Sequence, residues 1–265
     1  DDVPSLPAAE ERIKKSLELT LRWAERAKKH YQKIVKASIN PAQKLFGIVQ
    51  GGDFPDLRQR GIKKLQEIGF DGYGIGGLAV GEAVDVMYKV LGFTTPHLEE
   101  DKPRHLLGVG YPEQIIRAVS LGVDMFDCVL PTRNARHGDL FVNVKSGFRP
   151  LPSASGGPPS PGLGRGRGEV ETSIGYEIIT ITNKQFAEDF TSVDNTCPCY
   201  LCLHHNRAYL RHLFMVGEPL AVRLATMHNL RFYLELMAKI RRAIEYESFE
   251  ELLFSYFPPQ SLGRD

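Results

Sequence analysis

Cys197-Pro-Cys199-Tyr-Leu-Cys202 packs three of the chain's four cysteines into six residues, and Cys128 stands apart. Three thiols this close together make no sensible set of disulfides. A soft tetrahedral ion explains them better, because it accepts thiolates and an imidazole at such spacing. The pattern predicts a structural zinc site closed by one histidine. His204, His205, His212 and His228 are all candidates, and spacing does not choose among them. Free clustered thiols also point to a reducing compartment, the cytoplasm or an organelle matrix.

A second chemical pattern recurs at the ends of short apolar runs. Leu45–Val49 closes in Gln50-Gly51-Gly52, and Gly72–Ile75 closes in Gly76-Gly77-Leu78. His105–Leu107 closes in Gly108-Val109-Gly110, and Val123–Phe126 closes in Asp127-Cys128. Helical spacing around 57–68, 83–91 and 113–121 fills the gaps, so strand and helix alternate. That alternation predicts parallel βα units, in a barrel or a doubly wound sheet. In a (β/α)8 barrel the carboxyl ends of the strands converge on the rim that carries the active site. Glycines there let backbone approach a flat ligand, and free amides at helix N-termini can donate to it.

The elements that must position these residues are legible on either side. Ala8 to about Ser38 reads as a long amphipathic helix, with Ile13, Leu17, Leu21, Ala24, Tyr31 and Val35 on one stripe. Trp23 is compatible with a partner helix, but a core-facing stripe is the commoner reason for such spacing. From Arg149 to Gly168 most residues are Pro, Gly or Ser. Such composition buries too little apolar surface to offset ordering entropy, so a disordered insertion is expected over 149–177. Apolar patterning returns at Ile178–Ile181, and helices are predicted over 206–216, 220–239 and 249–256. Arg207, Arg211, Arg223, Arg231, Lys239, Arg241 and Arg242 decorate them. A solvated helix face is the default reading of these charges, and an RNA-facing patch the rival one.

Bulk properties bound the rest. The 265 residues carry a formal net charge of +1, so any nucleic-acid surface must be a local patch. No run of 18 or more apolar residues exists, which excludes a membrane-spanning helix, and the opening Asp-Asp-Val-Pro has no signal-peptide character.

Three stretches resemble one family. Phe46–Gly52 (FGIVQGG), Gly76–Glu82 (GGLAVGE) and the unbroken Asp124–Arg136 (DMFDCVLPTRNAR) are similar to tRNA-guanine transglycosylases. The C-x-C-x-x-C pattern followed by 25 residues and a histidine also matches, and the resemblance selects His228 as the fourth ligand. It covers about 1–148 and 178–257. The implied fold is α/β, an irregular (β/α)8 TIM-like barrel with a zinc-binding subdomain. Residues 1–148 would then be the C-terminal portion of the barrel, and 178–265 the zinc subdomain with the final helices. The implied activity exchanges guanine at wobble position 34 of queuosine-type tRNAs for a 7-deazaguanine, either queuine or its aminomethyl precursor. No redox cofactor is implied.

The resemblance also assigns residues. Asp127 matches the nucleophile, a role in which a carboxylate stabilises and then captures the oxocarbenium-like C1′. Asp1 matches the aspartate that reads the base edge, where a carboxylate can accept two donors. Gln50, Gly76, Gly77 and Leu78 match base-contacting positions. Gly108, Val109, Gly110, Tyr111, Pro112, Glu113 and Gln114 match one anticodon-loop segment. Thr132, Arg133, Asn134, Ala135 and Arg136 match another, whose guanidinium groups suit unpaired nucleotides. Implied partners are the tRNA anticodon stem-loop, the free base and a second subunit, in a homodimer or a heterodimer. A eukaryotic member would also allow association with mitochondria.

Departures set further expectations. The family's general acid/base aspartate lies in an Asp-Ser-Gly-Gly-Phe-Gln motif upstream of the position matched by Asp1, and no such motif occurs here. The chain thus looks like a fragment that neither closes a barrel nor works alone. The alternative is a non-catalytic tRNA-binding subunit, which retention of Asp127, Arg133 and Arg136 argues against. Val3 stands where the family often has cysteine, and Val80 where eukaryotic members usually have glycine. This pocket leaves the preferred base open, with Leu78–Gly81 tilting toward the smaller one.

Overall fold

The computed structural model describes residues 1–144 and 175–257. Most of the insertion expected over 149–177 lies outside the described residues. Its last three positions, 175–177, do not, and the strand starts ahead of the expected Ile178. Tyr176 and Glu177 already belong to a strand, because the buried Tyr176 ring packs on Phe141 with centroids 5.8 Å apart.

The chain divides into two compact units. The first, residues 1–110 and 114–128, is built on a four-stranded parallel sheet in the order β1-β2-β3-β4. Its strands are β1 (Phe46–Val49), β2 (Gly72–Ile75), β3 (Arg104–Leu106) and β4 (Met125–Phe126). Helices α1 (Glu10–Ile34), α2 (Pro55–Ile68), α3 (Val84–Thr94) and α4 (Pro112–Ser120) precede or link them. The alternation read from the sequence is therefore present strand by strand. The registers Val49↔Ile75, Ile75↔Leu106 and Leu106↔Phe126 keep the carboxyl ends level along one edge.

Packing explains the small residues. Phe46 lies across Gly72, where a Cβ would meet the ring at 2.6 Å, so the aromatic covers the strand only because its partner has no side chain. Helix α1 buries Ile13, Leu17 and Leu21 from the expected stripe, while Trp23 is exposed. Leu17 presses on Gly61 of α2, where a Cβ would stand 3.1 Å from its Cδ1. Acidic Glu10 and Glu11 occupy the first turn of α1, as the helix dipole favours.

The second unit comprises 111–113 and the chain from Val129. It contains α5 (Leu130–Arg136), β5 (Asp139–Asn143) and β6 (Tyr176–Thr180). After these come α6 (Tyr200–His204), α7 (Arg207–Met215), α8 (Pro219–Glu245) and α9 (Phe249–Tyr256). The two strands pair antiparallel, Phe141 opposite Ile178. Phe141, Tyr176, Phe232 and Tyr233 form an aromatic core, with Phe141 and Phe232 stacked at 5.4 Å and Tyr233 edge-on to Phe141 at 5.2 Å. Apart from 111–113, the second unit runs from Val129, ahead of the composition break near Arg149.

Candidate active site and metal centre

The strand ends of the first unit bring the expected base-contacting residues together. Gln50 follows β1, and its buried amide donates from Nε2 to Asp1 Oδ2 at 2.6 Å. Gly76 and Gly77 follow β2 and lie against the same amide. A Cβ on Gly76 would stand 2.7 Å from Gln50 Nε2, and one on Gly77 would stand 2.7 Å from Oε1. Gly77 also has φ +69°, a left-handed conformation that other residues rarely adopt. Leu78 is buried in the unit's core, and Asp1 is exposed.

The opening segment is tethered rather than loose. Arg12 pairs with Asp2 at 2.6 Å, Ser16 donates to the Asp2 carbonyl, and the Asp2 amide donates to Thr20 Oγ1 at 3.1 Å. Hydrogen bonding from Arg12 holds the Asp2 carboxyl below the usual carboxylate range. These contacts to α1 fix the residue next to Asp1.

Sequence reading missed Arg58, which braces the site from below. It sits on the face of α2 that also carries Gly61, Ile62 and Leu65, a helical spacing that marks it as inward-facing. Its Nε donates to Gly52 O at 2.6 Å and its Nη2 to Gly76 O at 3.0 Å, clamping the turns after β1 and β2. Burial pushes its pKa down to about 10, opposed by Asp53 and Glu82, so the cation persists at neutral pH. Glu82 in turn accepts from the Ala79 and Val80 amides, folding the loop after Leu78.

Asp127 follows β4 on the same sheet edge, with its side chain 60% exposed. His105 Nε2 stands 3.0 Å from Asp127 Oδ1, and the Gly108 amide donates to that oxygen at 3.2 Å. Cys128 Sγ lies 3.5 Å from Gly110 O. Val109 and Gly110 are buried and Gly108 is exposed. Chemically, this is an accessible carboxylate with one oxygen held.

The remaining expected RNA-contacting residues divide between the two units. Tyr111, Pro112 and Glu113 group with the second unit and Gln114 with the first. Glu113 is buried and accepts from the Tyr176 hydroxyl at 2.7 Å, and burial raises its pKa. Thr132, Arg133, Asn134, Ala135 and Arg136 form most of α5. Arg133 and Arg136 are exposed, but Ala135 is buried in the unit's core, where its methyl group packs instead of facing solvent.

In the second unit Cys197, Cys199, Cys202 and His228 converge, their ligand atoms all within 4.8 Å of one another. All four are buried. His228 Nδ1 lies 3.6 Å from Cys199 Sγ and 3.3 Å from Cys202 Sγ. A tetrahedral ion with zinc-like bond lengths needs an N···S edge of roughly 3.6 Å, so the donor set fits such a metal. His228 Nε2 contacts the Phe141 carbonyl at 2.7 Å, which assigns the proton to Nε2 and leaves the Nδ1 lone pair for a metal. Hydrogen bonds from Cys197 and Cys202 draw the Cys199 thiol far below the ordinary thiol range, toward the thiolate a metal requires. His204, His205 and His212 are outside this set.

Asn229 secures the neighbouring backbone. It accepts from Phe141 N at 3.1 Å and donates to Pro131 O at 3.0 Å and Asp139 O at 2.9 Å. Adjacent residues of α8 therefore hold both the amide and the carbonyl of Phe141.

Residues 1–258 match the profile of the family described as TGT: Queuine tRNA-ribosyltransferase. The chain belongs to this family. It is 44% identical over 257 residues to a "Queuine tRNA-ribosyltransferase" of Vibrio campbellii, covering 97% of this chain and 58% of the relative. A protein of the same name from Haemophilus ducreyi is 43% identical over 257 residues, again 97% and 58%. The chain therefore spans 58% of the length of these curated relatives. The parallel sheet and the Cys3His cluster fit a queuine tRNA-ribosyltransferase, and no helix among the described residues is long and apolar enough to cross a membrane.

Proposed function

We propose that the full protein carrying this chain is a tRNA-guanine transglycosylase. It exchanges guanine at position 34 of queuosine-type tRNAs for a 7-deazaguanine by double displacement through Asp127. The observation that carries this reading is an exposed carboxylate at the end of β4, on the sheet edge that also bears the Asp1–Gln50 pair and Gly77. Asp1 accepts donors from the purine edge, and Gln50, Leu78 and the Gly76–Gly77 backbone frame the ring. Arg133 and Arg136, with the Gly108–Gln114 segment, engage the anticodon loop. Four strands in order 1-2-3-4 form part of a (β/α)8 barrel. Zinc, bound by Cys197, Cys199, Cys202 and His228, is structural, because a closed set of four protein ligands leaves no open position. The protein acts in the cytoplasm as a dimer.

The test is covalent trapping. Full-length protein mixed with substrate tRNA and quenched in denaturant should carry an RNA adduct that Asp127→Ala abolishes. Persistence of that adduct in the variant overturns the assignment.

A further inference from the structure

Both neighbours of the Asp127 carboxylate address the same oxygen. His105 Nε2 lies 3.0 Å from Oδ1, and the Gly108 amide donates to it at 3.2 Å. Oδ2 has no partner among the described residues, and the side chain is 60% exposed. The register accounts for the nearness of His105. His105 pairs with Met125 across β3 and β4, and strand side chains alternate, so the residue two places on, Asp127, shares the face of His105. At 3.0 Å the imidazole edge faces a carboxylate oxygen, a contact that is attractive with the proton on Nε2 and repulsive without it.

We propose that His105 is a positioning residue for the nucleophile, holding Asp127 by Oδ1 so that Oδ2 is the attacking oxygen. This rests on the transglycosylase reading above. In the first half-reaction an Oδ2 lone pair forms the bond to C1′ while C1′–N9 breaks. The electron pair leaves with the purine, which takes a proton from a carboxylic acid or water. Oδ1 becomes the ester carbonyl, still facing His105 and Gly108. In the second half the incoming base loses its N9 proton to the conjugate base of that acid, or to water, and N9 attacks C1′. The C1′–Oδ2 bond then breaks, and its electron pair restores the carboxylate.

The two halves respond differently to His105. Before attack the carboxylate is already charged, so the N–H contact stabilises reactant and transition state alike and formation gains little. During ester breakdown the carboxylate charge is being regenerated, and a fixed N–H pole at Oδ1 stabilises it only as it appears. Removing that pole should slow breakdown about ten-fold or more and change formation much less.

The experiment uses full-length protein, native and with His105→Leu or His105→Gln. Labelled tRNA without free base gives the rate of adduct formation, and a chase with guanine gives its breakdown. The expected result is an adduct that accumulates in His105→Leu because its breakdown is selectively slowed, with partial recovery in His105→Gln, which keeps an N–H donor. Equal slowing of both steps, or breakdown within two-fold of native, overturns the proposal. A native protein that forms no adduct at all overturns the transglycosylase reading itself, and this proposal with it. In RNA-free protein, Asp127→Asn should shift the His105 ring-nitrogen resonances, and unmoved resonances overturn the contact independently of turnover.

Discussion

Asn229→Ala should destabilise the second unit by about 3 kcal/mol, although Asn229 is not one of the four clustered ligand residues. Its side chain is fully buried and makes three hydrogen bonds, all to backbone. Truncation leaves the Phe141 amide without its acceptor, a loss of about 1–3 kcal/mol for a buried unsatisfied group. The Pro131 and Asp139 carbonyls lose a donor each, at about 0.5–1.5 kcal/mol apiece, and the lower ends of these ranges already sum to about 2 kcal/mol. Urea denaturation of full-length protein followed by near-UV circular dichroism suits the purpose, since Tyr176 and Tyr233 pack on Phe141. Trp23, the one tryptophan of these 265 residues, belongs to the first unit, and a Trp23→Phe blank isolates its fluorescence as an internal control. The aromatic transition should move to lower urea while the tryptophan transition stays within error. A loss below about 1 kcal/mol, with the slope unchanged, would show that water replaces the amide and refute the reasoning.

Chelation should remove one zinc per chain and melt the second unit, with metal analysis and circular dichroism changing together; Cys199→Ser should bind less than a tenth as much metal. A folded variant with full zinc content would reject the ligand set. Gly77→Ala places a left-handed alanine at about 1–2 kcal/mol and drives its methyl into the Gln50 amide. Calorimetry should show guanine binding weakened at least ten-fold, and unchanged affinity would detach Gly77 from the pocket. Glu113→Gln tests burial of a carboxyl beside Tyr176. The folded-state pKa is raised, so the native carboxyl contributes most when protonated and loses that contribution as pH climbs through and above the carboxylate range. The variant should therefore melt higher than native at neutral pH, with the gap closing in acid; an equal gap at both pH values would contradict the shift.

Local periodicity made the first unit legible. Each strand–helix step closes within neighbouring sequence, so the apolar runs at 45–49 and 72–75 and the stripe on α1 carry their own signal. Arg58 shows what such reading misses. Its charge hides the fact that it occupies an inward position of α2, and only the helical spacing to Gly61 and Leu65 gives it away. His105 could have been found from register, since a parallel partner two residues short of Asp127 must share its face. The second unit was harder because its contacts are remote in sequence. Strand β5 pairs with β6 across the Pro/Gly/Ser-rich stretch, and Glu113 meets Tyr176 across 63 positions. Helix α5 hides in a segment of polar residues with a proline at its second position. For the metal ligands, spacing supplied the three cysteines, but the histidine required either the resemblance or the fold.

The Phe141 clamp has a kinetic consequence. Its amide reaches a partner 88 positions later, on a helix made after the rest of the hairpin. A chain leaving the ribosome can complete the sheet of the first unit from adjacent segments, whereas β5 must wait with its outer edge unsatisfied. Long loop closures of this kind slow folding and leave strand edges open to other chains. Newly made protein should thus be most prone to aggregate after β6 emerges and before α8 docks, a window that chaperone supply would narrow.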